Sequence, residues 1–168
     1  MNRRIRVFRI GAGETRVLRF RVGGRMPPKK DGAASMWRKP AGIEQLKALR
    51  RAAVEAMAGR EPWDQPVVLR LRVHVPAPKG EPALWTRREH GDLDNFVTGV
   101  CDGLQAADPR AFEDTSWTDV PTDERPHRPI AYTDDSWIRR IEAELVSSES
   151  GDLSYEVAVE PLRELRTG

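Results

Sequence analysis

The clearest pattern in the chain is the run 67–75 (VVLRLRVHV), in which Val67, Leu69, Leu71, Val73 and Val75 alternate with Arg70, Arg72 and His74. Successive side chains of a strand point to opposite faces, so this run is predicted to be a half-buried strand with His74 outward. Residues 5–10 (IRVFRI) and 16–22 (RVLRFRV) flank Gly11-Ala12-Gly13-Glu14-Thr15 and read as a hairpin. Its second strand puts Leu18, Phe20 and Val22 on one face and Arg19 and Arg21 on the other. Gly11-Ala12-Gly13 lacks the strand-to-helix setting of a phosphate loop and is read as a turn. A final pair of strands, 137–146 and 154–159, is joined by SSESGDL.

Helical spacing occurs twice. After Pro40, the residues Ile43, Leu46, Leu49, Ala53 and Met57 recur at helical intervals, and Gly59 is placed to stop the helix. Within 91–105, Phe96, Val97, Val100, Cys101 and Leu104 form a second apolar stripe. Residues 23–41 and 76–91 are loops by their Gly, Pro and charged content. Residues 105–131 carry four prolines and six acids with no period, and read as an irregular insertion. The order β-β-α-β-α-β-β predicts an α+β fold, a mixed or antiparallel sheet with two main helices, in one domain over 1–168.

Composition narrows the class. The 168 residues are 39% hydrophobic and 32% charged, the balance of a globular chain. No apolar run approaches the ~20 residues of a membrane span, and the charged N-terminus lacks a signal peptide's apolar centre. One cysteine, Cys101, excludes an internal disulfide and a thiolate metal cluster; it falls on the helical stripe and is expected in the core. A soluble, cytoplasmic protein is the expectation. Residues 1–90 hold 21 Lys and Arg against 8 Asp and Glu, whereas 91–168 hold 7 against 18. Either the halves neutralise each other by pairing, or a basic face for a polyanion lies beside an acidic pocket for a cation.

Two short acidic segments carry the candidate chemistry: Gly91-Asp92-Leu93-Asp94-Asn95 and Tyr132-Thr133-Asp134-Asp135-Ser136. Residues two apart share a side of an extended chain and not of a helix, so Asp92 and Asp94 act together only ahead of the second helix. The competing reading is that they cap its free amides. Two adjacent aspartates before a strand exceed what a turn needs. If Asp92, Asp94 and one of that pair converge, the cluster must take up protons or a cation. Two like charges at ~4 Å repel by about 4 kcal/mol at an effective dielectric near 20. A hard divalent ion with oxygen ligands, Mg²⁺ or Mn²⁺, suits such a nest. On a strand Asp134 and Asp135 face opposite ways, so one of them reaches the metal directly.

These linked motifs resemble the RusA family of Holliday-junction resolvases. The residues carrying the likeness are Asp92-Leu93-Asp94-Asn95, Asp102-Gly103-Leu104, Asp134-Asp135-Ser136-Trp137-Ile138 and the loop Gly24-Arg25-Met26-Pro27-Pro28-Lys29. In element order the likeness spans about residues 16–160. It implies a Mg²⁺-dependent, homodimeric endodeoxyribonuclease that cuts four-way junctions, with Asp92, Asp94 and Asp135 as catalytic metal-binding carboxylates and Asp134 adjacent. Two departures stand out: Thr98 occupies the place of a family lysine, for which Arg139 or Arg88 are substitutes to consider, and 105–131 replaces a short turn.

Other residues fit a nucleic-acid reading. Arg25, Lys29, Lys30, Arg38 and Lys39 with Trp37 form a basic loop with one aromatic, suited to a DNA arm. Arg87 and Arg88 are placed to hold phosphates beside the scissile bond, and His90 is a candidate general base. Trp63, Trp85 and Trp137 are expected to pack. The rival functions are a junction-binding relative that has lost catalysis, another metal-dependent phosphoester enzyme, and a structural module whose aspartates are caps.

Overall fold

The computed structural model describes residues 17–30, 35–76 and 93–162. The predicted strand at 5–10, Asp92, Arg87, Arg88, His90 and Trp85 lie outside them. The elements are β1 (Leu18–Gly23), α1 (Pro40–Met57), β2 (Val67–Pro76), α2 (Leu93–Gly103), β3 (Ile138–Ser148) and β4 (Ser154–Pro161). The four strands form one mixed sheet in the order β1-β4-β2-β3. The expected α+β class, with a mixed sheet and two main helices, is what the chain adopts.

Alternation along the strands sets which face is covered. Leu18, Phe20 and Val22 are buried, as are Leu69, Leu71 and Val73, and β4 adds Tyr155, Val157 and Val159. Register aligns them in rows: Phe20 lies opposite Val157, and Val157 opposite Leu71. The helices contribute Leu49, Ala53, Met57, Phe96 and Val100 to the same core. Pro40 opens α1, where a missing N–H costs no hydrogen bond, and Ala58 closes it in the left-handed conformation at φ 50°, just ahead of Gly59.

The last two strands are not neighbours. β3 runs parallel to β2 and β4 runs antiparallel to it, so β2 separates them. Between Ser148 and Ser154 the connection crosses the end of β2, turning at Gly151 with φ 73°. A hairpin would have left β2, the most apolar strand, at the edge; this crossover puts it at the centre, buried on its inner face throughout.

The charge halves cancel across the outer face of the sheet. Arg70 bonds both Glu142 and Glu160, Arg72 bonds Glu144, and Arg21 lies 3.9 Å from Glu156. His74 is on this face, 3.1 Å from Glu156 through Nε2. The basic first half is thus paired with the acidic second half, because β1 and β2 come from one and β3 and β4 from the other.

The segment 105–131 is irregular, as expected, with short 3-10 turns at Asp114–Trp117 and Thr122–Glu124. It is nonetheless packed. Trp117 and Val120 join Met36, Trp37, Ile43 and Leu46 in a second apolar cluster. Trp37, expected in a DNA arm, is buried there: its ring is 5.8 Å from that of Trp117, and the Arg50 guanidinium lies 5.7 Å from its centroid. Arg38, from the same loop, donates to the carbonyls of Arg110 and Ala111.

Candidate active site

The site is assembled where the irregular segment leaves α2 and returns to it. Leu104 O accepts from the N–H groups of both Ile130 and Ala131, each at 3.1 Å. Tyr132 Oη donates to Cys101 O at 2.8 Å. Trp63, just before β2, donates its N–H to Ala131 O and accepts from Thr133 N–H. The two ends of the excursion are therefore clamped together, whatever happens in its middle. Arg50 strengthens the clamp from below. Fully buried, its guanidinium donates to the carbonyls of Gly103, Gln105, Glu124, Arg125 and Arg128. Burial pushes this guanidinium down to about 9, which leaves it charged at neutral pH.

The clamp brings the second acidic segment to the end of α2. Asp134 takes the Ser136 N–H at 2.8 Å and opens the short turn Asp135–Trp137. That bond holds the Asp134 carboxyl below its usual range. Asp135 is exposed, and its N–H donates to Gln105 Oε1 at 2.9 Å. Both Asp135 and Asp102 act electrostatically on Lys30, Cys101 and Tyr132, which places the two acids in one neighbourhood. Lys30 Nζ meets Asp102 Oδ2 at 2.8 Å. The hydrogen bond and charge of Asp102, with a smaller contribution from Asp135, hold the ammonium above its ordinary value.

Lys30 reaches this position because its loop lies directly on α2. Lys30 N–H donates to Asn95 O at 3.1 Å. A Cβ on Gly99 would fall 2.1 Å from Pro28 O, so only glycine permits this approach. Next to Lys30, Asp102 and Gln105 opens a cleft of about 380 Å³ whose lining includes Met36, Trp37 and Ala107.

The first acidic segment differs from expectation at its start. Among the described residues α2 is helical from Leu93 on, ahead of the apolar stripe at Phe96, and Leu93 itself packs against the core. Asp94 thus occupies the first helical turn, exposed, where a negative charge is favoured by the helix dipole. It is not on an extended segment. Eight residues separate it from Asp102, about 12 Å along the helix axis at ~1.5 Å per residue. Thr98 donates its hydroxyl to Asp94 O at 2.9 Å, the back-bond of a mid-helix threonine, and brings no charge.

Among the described residues no three of His, Cys, Asp and Glu group into a metal site. The expected triad includes Asp92, which lies outside the described residues. The donor chemistry fits a hard divalent ion, since Asp94 and Asp135 are exposed carboxylates and Mg²⁺ needs only one or two of these beside water and substrate phosphate. Cys101 is buried, and burial foremost, then the charges of Asp102 and Asp135, pushes its thiol up to about 12. Arg25 and Lys29, like Lys30, are exposed on the loop ahead of residue 31. Trp63 is buried in the core, and Trp137 is half-buried with its Nε1 donating to Thr133 Oγ1.

Three participants had little or no signal in the sequence. Arg50 was visible only as a charge within the stripe Leu46, Leu49, Ala53. Gln105 and the contact of Lys30 with Asp102 had none, since each depends on where a distant segment returns.

Compared with models of known families, residues 25–119 match the one described as Endodeoxyribonuclease RusA. A DNA-cutting hydrolase is the class that this match defines. The match covers more than half of the chain, and the chain belongs to the RusA endodeoxyribonuclease family. It includes Lys30, Asp92, Asp94, Thr98 and Asp102 and ends inside the irregular segment, ahead of Asp134 and Asp135. No curated protein matches the chain. No described helix is long and apolar enough to cross a membrane.

Proposed function

We propose that this RusA-family chain is a divalent-metal-dependent endonuclease that resolves branched DNA, acting in the cytoplasm as a homodimer with one site against each of two opposed strands. The observation that carries the reading is the return of Asp135 to the end of α2, beside Asp102 and Lys30, in a chain matched to this family over its first acidic motif. Asp92, Asp94 and Asp135, with Asp134 adjacent, would hold Mg²⁺ or Mn²⁺. When bound, the ion supplies a Lewis acid for the phosphate and lowers the pKa of its water. Lys30 adds positive charge next to Asp135, in place of the cation missing at Thr98. Arg25, Lys29, Arg87 and Arg88 contribute phosphate contacts, which position the strand without reading its sequence.

Cleavage of a synthetic four-way junction and of linear duplex, with and without Mg²⁺, tests this. The wild type is expected to cut the junction preferentially and only with metal, and Asp94→Asn to bind the junction while failing to cut it. Cleavage by Asp94→Asn at the wild-type rate refutes the assignment of that residue. Thr98 favours a second reading, a junction binder without catalysis; a gel shift with no nicking in Mg²⁺ or Mn²⁺ is its signature.

A further inference from the structure

The turn that presents Asp135 is held by two side chains of different origin. The leading amides of any helical turn have no partner inside it. Asp134 takes the one on Ser136, a bond local to the turn. Gln105 takes the one on Asp135, and it arrives from thirty residues away. Only the second bond ties the turn to the end of α2, where Asp102 and Lys30 meet. Gln105 is itself anchored, because its carbonyl accepts from the buried Arg50 guanidinium at 3.1 Å. A continuous path of hydrogen bonds therefore runs from α1 through Gln105 to the backbone of Asp135.

The residue type suits the task. A leucine or methionine would fill the same space and accept nothing. A glutamate would accept the N–H but add a negative charge close to Asp102 and Asp135. A neutral amide is the acceptor that fixes Asp135 without adding to the repulsion there.

We infer that Gln105 is a positioning residue for Asp135, setting the orientation of that carboxylate toward the metal and the scissile phosphate. The inference rests on the metal-dependent cleavage proposed above. A carboxylate freed to shift by ~1 Å loses on the order of 100-fold in rate, so a loss of roughly 10- to 100-fold is expected when the bond is removed.

The test compares Gln105→Met, which removes the acceptor, with Gln105→Glu, which retains one. For Gln105→Met, single-turnover junction cleavage is expected to fall 10- to 100-fold and the Mg²⁺ concentration for half-maximal rate to rise. Junction affinity without metal and the thermal midpoint should stay near wild type. Gln105→Glu, which keeps the acceptor but adds charge beside Asp135, should cut faster than Gln105→Met and more slowly than wild type. Amide hydrogen exchange gives a readout apart from activity: the Asp135 N–H, hydrogen-bonded to Gln105 in the wild type, should exchange faster in Gln105→Met and not in Gln105→Glu. Unchanged cleavage in Gln105→Met, unchanged exchange at Asp135, or a fall in junction affinity as large as the fall in rate each overturns the positioning role. A wild-type protein that cuts no branched DNA instead removes the proposed function, and the step Gln105 serves goes with it.

Discussion

Replacing Arg50 by methionine isolates what holds the irregular segment in place. Methionine keeps the length and apolar stem of the side chain and removes all five donors. The carbonyls of Gly103 and Glu124 are bonded by Arg50 at 2.6 and 2.8 Å in buried surroundings. Those of Gln105, Arg125 and Arg128 are part-buried and can turn to water. Leaving a buried acceptor unpaired costs about 1–3 kcal/mol, so the two enclosed carbonyls alone set a loss of about 2–6 kcal/mol. An overall loss of about 4 kcal/mol is therefore expected, a large share of the ~5–15 kcal/mol by which domains are stable. Arg50→Lys retains the charge on a compact head with three donors, which cannot serve carbonyls on three segments, and should lie about halfway. Urea unfolding at pH 7, with slopes compared to confirm equivalent transitions, measures both variants. An unfolding free energy for Arg50→Met within about 0.5 kcal/mol of wild type, the range of ordinary surface substitutions, refutes the claim that this guanidinium is the clamp.

Two more outcomes follow from contacts elsewhere. Gly99→Ala drives a Cβ to 2.1 Å from a backbone oxygen, whereas Gly103→Ala meets the side-chain methyl ends of Leu49 and Leu46. Crowding of this kind costs about 1–3 kcal/mol, so Gly99→Ala should lower the thermal midpoint clearly more than Gly103→Ala; equal midpoints would contradict the close approach of the Pro28 segment. On the outer sheet face, the Arg70 hydrogen bond foremost holds the Glu142 carboxyl below its unfolded value of 4.5. The stabilisation is complete above that value and is lost as pH falls through it and below. Urea midpoints should thus drop between pH 6 and pH 3, less steeply in Glu142→Gln and with a smaller difference in high salt; identical slopes for the two proteins would show that these ion pairs do not couple to folding.

Local pattern carried much of the fold. Period-two alternation identified β1 and β2 and the face each buries, and helical spacing identified α1 and α2, because burial of one face is a property of neighbouring residues. Boundaries were less legible: α2 is already helical at Leu93, ahead of its apolar stripe, and Leu93 has a core contact that periodicity does not register. Strand order was not legible at all. Nothing local tells a connection of five residues to step over β2 rather than turn back on itself, and that choice depends on which strand gains most from being central.

The candidate site divides the same way. The motifs in the sequence marked Asp92, Asp94, Asp134 and Asp135 as candidate ligands and pointed to the family that residues 25–119 match. Tertiary structure alone decided that Asp135 returns to the end of α2, that Lys30 faces Asp102, that Trp37 is buried, and that the opposite charges of the two halves meet across the sheet. The physical reason is range. Side-chain patterning records which residues leave water, whereas a hydrogen bond between Gln105 and Asp135, or a guanidinium gathering five carbonyls, exists only once distant segments have packed.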